Sequence, residues 1–308
     1  MKVSILIPTY NSSKTIGETI ESVLNQEDFD NFEISLSDDG SKDDTRELLK
    51  KYKEKYPEKI RLHFNEENMG VVRNSISGFE SVESEYIFSM GHDDRFLPDM
   101  LATEVNFLEA HKEYNACYSK AKIFLEEQNK FSGDLIGSDG CSFKDLLIHN
   151  NIPSLSCCIR TSVVKDYLKE IDPLSKNWTL EDYPLWLYTA ATGRIKFLDE
   201  VHSIYRITGG SVMHKNGDGD IEMLQNVLDM KLFFAEKYAR DDDAKQDFER
   251  LCNEGFSYEM ANHYLYEDDM ENFREYLKKS PKSLKVTLKY LFSLTAPTRK
   301  FLKSREQY

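Results

Sequence analysis

Cysteine, long apolar runs and positive charge are all scarce in this chain of 308 residues. The five cysteines, Cys117, Cys141, Cys157, Cys158 and Cys252, are an odd number without the spacing of metal ligands. A disulfide framework is therefore excluded, and the pattern fits reduced, partly buried thiols in a cytosolic protein. No apolar stretch approaches the roughly 20 residues of a membrane-spanning helix. The opening run, MKVSILIP, is too brief to be read as a signal peptide. Lys and Arg number 40 against 54 Asp and Glu, a formal net charge of −14. That balance argues against non-specific binding to nucleic acid. An anionic ligand would need local help from Arg, Lys or a metal. The deficit is also uneven. Residues 278–305 hold seven Lys, two Arg and no acid, which leaves 31 basic against 54 acidic residues elsewhere.

With 40% hydrophobic and 31% charged residues the chain is globular. Its first 110 residues alternate regularly. VSILIP reads as a buried strand, and KTIGETIESVLNQ as a helix with Ile16, Ile20, Val23 and Leu24 on one face and a Thr15–Glu18 capping box. FEISLS, IRLHFN and EYIFSM are further strands, each followed by a helical pattern. Ser41 is placed to cap the second helix, and Pro98 near the first turn of the fourth. Such alternation predicts an α/β fold, a mostly parallel sheet flanked by helices. The middle is less regular: CYSKAKIFLEE reads as a strand and NKFSGDLIGSDG as a loop. Beyond residue 221 the pattern turns helical. The predicted organisation is therefore a domain over 1–220 and a helical region over 221–308 that ends in a basic tail.

Ligands of open α/β sheets lie beyond the carboxyl ends of the strands. Polar, charged and glycine-containing segments recur at those ends: Tyr10 and Asn11, Asp38 and Asp39, Asn68 to Arg73, then Asp93 and Asp94. The last pair is an electrostatic problem. Adjacent carboxylates repel, so one protonates or both find a cation. A solvated acidic turn, a divalent metal and a metal-bearing polyphosphate all remain open on these residues alone.

In order and at ordinary spacing, VSILIPTYN, SDDGSKDDT, NMGVVRN, HDD ahead of a Leu-Pro, and LEDYPLW resemble family 2 glycosyltransferases of the GT-A (Rossmann-like) fold. The likeness covers roughly residues 1 to 210. It implies a UDP-sugar donor, a Mn2+ or Mg2+ cofactor and inverting hexosyl transfer to a glycan acceptor. Carried over position by position, it puts Pro8, Thr9 and Tyr10 around the uracil and gives Asp39 the imide hydrogen bond. Asp38 holds the turn. Asn68, Gly70 and Arg73 line the donor site, Arg73 toward a uracil carbonyl or the diphosphate. Asp93 is the metal ligand, with Asp94 beside it. Relatives usually carry an Asp where this chain has Gly91, so His92 is the remaining candidate for ribose contact. Asp182, next to Glu181, is the implied base. Arg206, in YRITGGSVMH, is expected to reach the phosphates, with Ser211 a further contact and His214 a candidate metal ligand; Thr208 stands where relatives commonly have a histidine.

The tail has Leu284, Leu288, Leu291 and Phe292 at helical spacing with Lys282, Lys285 and Lys289 interleaved. A basic amphipathic stretch of this kind binds anionic membrane, or else folds back on the acidic body. The first reading fits a lipid-linked acceptor in surface polysaccharide (O-antigen or capsule) synthesis, and a cytoplasmic enzyme held peripherally at the inner face of the membrane. The alternative reading, motivated by Gly91, is a catalytically silent nucleotide-sugar-binding protein. A nucleotidyltransferase would need a basic, glycine-rich phosphate loop after the first strand, and PTYNSSKT supplies none.

Overall fold

A computed structural model describes residues 1–208 and 218–293. The chain divides into two compact units, Met1–Ser142 with Asn151–Gly209, and Phe143–Asn150 with Gly210–Tyr308. The expected boundary near 220 was drawn along the chain. The contacts also group 143–150 with the second unit.

The first unit begins with β1 (Val3–Thr9), α1 (Ile16–Leu24), β2 (Phe32–Asp38), α2 (Thr45–Lys55), β3 (Ile60–Phe64), α3 (Val71–Glu80) and β4 (Tyr86–Ser89). It continues through β5 (Arg95–Phe96), α4 (Met100–Ala110), β6 (Ala116–Leu125) and β7 (Lys130–Ile136). After α5 (Phe143–Ile148), which lies in the second unit, come β8 (Cys157–Arg160), α6 (Thr161–Ile171), α7 (Tyr183–Thr192) and β9 (Ile195–Ile207).

These strands form one nine-stranded sheet in the order β3-β2-β1-β4-β8-β6-β9-β5, with β7 added to β6. The first four run parallel. β8 then lies antiparallel to both β4 and β6, and β6 pairs parallel with β9. Chemistry decides which residues go where. Val3, Ile5 and Ile7 of β1 and Ile16, Ile20 and Val23 of α1 are fully buried in one core, each side chain contributing roughly 1.5–3 kcal/mol by leaving water.

Three local expectations change. The segment 129–140, read as a loop, contains β7, an edge strand whose Phe131 and Leu135 stay exposed. Glycine and polar residues masked its alternation. The Thr15–Glu18 capping box does not form, because Glu18 pairs with Arg95 and Arg206 instead. Ser41 does not cap α2, whose N-cap is Asp44; it binds Asp38 and the amide of Asn11.

The second unit contains α5, α8 (Asp218–Tyr238), α9 (Asp242–Tyr266), α10 (Met270–Lys279) and α11 (Leu284–Phe292). Gly255 of α9 lies so close to α5 that a Cβ there would sit 2.2 Å from the Ile148 carbonyl oxygen. Ala261, Leu265, Phe273 and Leu277 form a core on which Val286 and Tyr290 of α11 pack. Lys289, read as part of an exposed basic face, is buried: it donates to Asn262 Oδ1 at 2.8 Å and lies over the Tyr258 ring. Through Tyr290 the tail is thus folded back on α9 and α10, while Leu288 and Leu291 remain exposed. The side chains of Leu284, Lys285 and Phe292 and residues 294–308 lie outside the described set. No helix among the described residues is long and apolar enough to cross a membrane.

Candidate functional site

The carboxyl ends of β1, β2 and β4 lie side by side because these strands are parallel neighbours. The loop after β1 is stitched to the loop after β2 by Asn11 N–H to Ser41 Oγ (2.9 Å) and Lys42 N–H to Asn11 Oδ1 (2.8 Å). Thr9 is buried at the strand tip, where its hydroxyl donates to the Ser37 carbonyl at 3.3 Å, whereas Tyr10 is 41% exposed. Pro8 is half-buried, between buried Ile7 and Thr9. An exposed aromatic face at this edge is available for stacking on a flat ring.

The two aspartates after β2 differ in task. Asp38 is fully buried and accepts from Ser41 and the Arg46 guanidinium, so it holds the turn. Asp39 accepts from Asn65 Nδ2 and Met69 N–H on Oδ1 (both 3.0 Å) and from Gly70 N–H on Oδ2 (2.9 Å). A carboxylate offers about four lone-pair sites. Three are filled, and one on Oδ2 remains. Gly40 makes this possible: at φ +76° its missing Cβ would stand 2.9 Å from the Glu67 carbonyl carbon. Asn65 is itself held by Asn74 (3.1 Å), which bonds Ser37. Asn65 and Asn74 were missed from sequence. The available signal for Asn74 was a polar residue beside Ile76 and Phe79 on the buried face of α3.

Asn68 Oδ1 accepts from Gly70 N–H at 2.9 Å, and Gly70 begins α3 at φ +87°, a backbone angle that favours glycine. Arg73 was expected beside the nucleotide. It lines a cavity of about 430 Å3 between the start of α3 and residues 173–179, together with Met69 and Gly70, whose amides hold Asp39, and no hydrogen bond or ion pair engages it among the described residues.

The turn after β4 is fixed from α1 and β9. Thr19 Oγ1 donates to the carbonyls of His92 (2.9 Å) and Asp94 (2.8 Å), and His92 Nδ1 lies 3.4 Å from Thr15 Oγ1. Arg206 N–H donates to Asp94 Oδ1 at 3.0 Å, and Arg206 Nε to the Asp93 carbonyl at 2.8 Å. The rest of the buried guanidinium is taken by Glu18 and Glu126. The expectation that Arg206 reaches phosphates is therefore corrected: it clamps the acidic turn. In β9 it is buried, as are Ile204 and His202 two and four residues before it. Ser211 and His214 lie outside the described residues.

Both carboxylates converge on Gly91. A Cβ there would meet Asp93 Oδ1 at 2.9 Å and Asp94 Oδ2 at 3.0 Å. Burial, and then the charge of Asp93, push Asp94 up to about 8. Two hard oxygens aimed at one point suit a divalent cation that completes its shell with substrate oxygens and water. Among the described residues no group of three or more His, Cys, Asp or Glu is arranged to hold a metal by itself.

Glu181 and Asp182 precede α7. Asp182 caps that helix by accepting from Tyr183 N–H at 2.6 Å, with Pro184 in the first turn. Burial raises its proton affinity, against the bond from the Tyr183 amide. Burial, then the charge of Asp182, push Glu181 up to about 7. Each acid thus holds a proton more tightly than an exposed carboxylate.

Known proteins are similar to this chain in sequence and in fold. A family profile described as glycosyl transferase family 2 matches residues 4–168. The Escherichia coli UDP-Glc:alpha-D-GlcNAc-diphosphoundecaprenol beta-1,3-glucosyltransferase WfaP is 28% identical over 212 residues, 68% of this chain and 79% of that protein. Two other curated relatives are matched over only 45% and 56% of their own lengths. Among solved structures, S. aureus TarS 1-349 in complex with UDP-GlcNAc superposes with a TM-score of 0.65 at 19% identity, over 91% of this chain and 82% of that one. The mannosyltransferase PcManGT from Pyrobaculum calidifontis, in complex with GDP-Man and Mn2+, gives 0.58 at 15% identity, over 98% and 83%. With more than half of its residues under the family profile and its α/β fold shared with these GT-A structures, the chain belongs to glycosyl transferase family 2.

Proposed function

We propose that the chain transfers a hexose, with inversion, from a UDP-sugar to a lipid-linked glycan acceptor during surface polysaccharide assembly. The observation that carries the choice of nucleotide is the lone-pair count on Asp39. Its one remaining acceptor site matches the single imide N–H of uracil. Guanine presents two adjacent donors, N1–H and the 2-amino group, and a carboxylate with one free site serves only one of them. Tyr10 supplies the stacking face, worth roughly 1–3 kcal/mol per base. The solved neighbours hold UDP-GlcNAc and GDP-Man, so the fold alone does not decide the base.

Asp93, with Asp94 beside it, would hold Mn2+ or Mg2+, which neutralises charge on the leaving diphosphate when bound. Asp182 orients the acceptor hydroxyl and takes its proton as oxygen attacks the anomeric carbon and the bond to the diphosphate breaks. One displacement inverts that carbon. The charge of Asp182 in turn raises the proton affinity of Glu181 beside it. The acceptor class follows WfaP, whose name gives a GlcNAc-diphosphoundecaprenol acceptor. A place at the cytoplasmic face of the membrane follows from the same acceptor, and from exposed Leu288 and Leu291 beside a tail rich in Lys and Arg. Gly91 favours a second reading, a protein that binds the donor without turning it over.

A panel of UDP-sugars, with released UDP as readout in Mn2+, separates the two. We expect slow hydrolysis of one donor and faster UDP release on adding polyprenyl-diphosphate-linked acceptor. Asp182→Asn should lower transfer about 10²–10⁴-fold, with UDP affinity within twofold. Binding without any turnover would leave the silent reading standing.

A further inference from the structure

The side chains behind Asp39 form a hydrogen-bonded relay whose direction follows atom by atom. It starts at the Ser37 carbonyl in β2, a group that only accepts. Asn74, 1% exposed on α3, must turn its NH2 group toward that oxygen, and does so at 2.9 Å. This leaves Asn74 Oδ1 on the other side, where it accepts from Ser37 Oγ (2.5 Å) and Asn65 Nδ2 (3.1 Å). Asn65 is thereby set in turn. Its NH2 group gives one hydrogen to Asn74 and the other to Asp39 Oδ1 at 3.0 Å. Asn65 Oδ1 then faces His63 Nε2 at 2.9 Å, so that nitrogen of the exposed His63 carries a hydrogen. Asp39 Oδ1 is filled by Asn65 and by the Met69 amide.

A reversed Asn65 amide would set oxygen against oxygen twice, at Asn74 Oδ1 and at Asp39 Oδ1. With Asn74 in place a single orientation is left. A buried polar network satisfied at every atom fixes orientation in this way, and loss of one member releases it. We propose that Asn74 is a specificity-determining positioning residue: from α3, through Asn65, it keeps Asp39 an acceptor with one open lone pair, and so sets the preference for a base that donates at that edge. Asn74 itself is too deeply buried to touch a nucleotide. The inference rests on the uracil reading of Asp39 above. Without Asn74 the Asn65 amide is free to reverse toward the other tautomer of His63. Asp39 then meets an oxygen in place of a donor, and turns or takes up a proton. Its bond to an imide N–H weakens, while stacking and phosphate contacts, common to all pyrimidine nucleotides, stay.

Calorimetric titration of UDP and CDP into the full chain reads the ratio of their affinities, with the thermal midpoint of each variant measured alongside to show that it is folded. We expect Asn74→Ala to weaken UDP about 5- to 10-fold, the scale of one hydrogen bond, and CDP less than twofold. Asn74→Ser, which keeps a small polar group but lacks the reach to Asn65, should do the same and stands in if the alanine variant does not fold. Asn65→Asp, equal in shape but without the donor, should narrow the ratio at least as far. His63→Leu should leave the ratio within twofold, because Asn74 still sets the orientation. An unchanged ratio in any folded variant at position 74 or 65 overturns the inference. So does an equal loss for both nucleotides, the mark of a merely structural role, or a ratio that narrows in His63→Leu as far as in Asn74→Ala. Equal affinity for UDP and CDP in the unaltered chain would instead remove the uracil reading itself.

Discussion

Replacing Asp39 with Asn keeps the shape of the side chain and exchanges one acceptor oxygen for a donor. The amide oxygen can take the Oδ1 position and keep the bonds from Asn65 and Met69. The NH2 group then stands where Oδ2 accepts from Gly70 N–H, donor facing donor. Hydrogen bonds to charged groups contribute about 1.5–3 kcal/mol. The loss from Gly70 should fall at the lower end, because the same amide is shared with Asn68 Oδ1 at 2.9 Å. Stability should therefore drop by about 1–2 kcal/mol in a denaturant titration. The larger effect is on the ligand. The uracil imide N–H would also meet a donor, and losing a bond of about 1.5–3 kcal/mol weakens UDP roughly 10- to 150-fold at 1.4 kcal/mol per decade. Cytosine offers an acceptor at that edge, so the UDP-to-CDP preference should narrow or invert. Calorimetric titration of both nucleotides reads this directly. If Asp39→Asn loses stability but binds UDP within twofold of wild type, Asp39 is only a loop clamp and the choice of uracil has no basis.

Three further outcomes follow. Asp94 and Glu181 have folded values of about 8 and about 7, above their ordinary 3.8 and 4.5. Their contribution is fully present below pH 4 and is lost as pH rises through 7 and 8, so the thermal midpoint without metal should fall between pH 5 and 8. Asp94→Asn should flatten that slope, and a midpoint that climbs over the interval rejects both assignments. Arg206→Met orphans the Asp93 carbonyl, unpairs Glu126 and leaves Glu18 to Arg95 alone; the two acids are 43% and 54% exposed and so contribute modestly. A loss of about 2–3 kcal/mol, with weakened Mn2+ affinity, is expected, and Arg206→Lys should not restore the metal response because it lacks the fork. Finally, because α11 is packed through Tyr290, truncation after Ser293 should spare the folded helices yet reduce sedimentation with anionic vesicles; equal partitioning of both forms argues against membrane contact.

The first half of the sheet was legible because period and burial agree there. VSILIP, FEISLS, IRLHFN and EYIFSM became β1 to β4, paired in parallel as the alternation with helices requires. β7 was not legible, since Lys130, Ser132, Gly133 and Asp134 leave only Phe131, Leu135 and Ile136 to mark a strand, and its pairing with β6 is a tertiary fact. The acidic turn and the Glu181–Asp182 pair were visible as residues but not as geometry. Nothing in spacing says that Arg206 faces Glu18 and Glu126 rather than a ligand, because that contact joins positions 188 apart. Lys289 misled for a related reason: helical periodicity cannot distinguish a lysine in water from one closed over by Tyr258.

A crystal structure of the chain with UDP and Mn2+ tests the account most directly. It should show the uracil imide within hydrogen-bond distance of Asp39 Oδ2, the ring against Tyr10, and the diphosphate with its metal beside Asp93. A nucleotide seated away from the carboxyl ends of β1, β2 and β4 would contradict it.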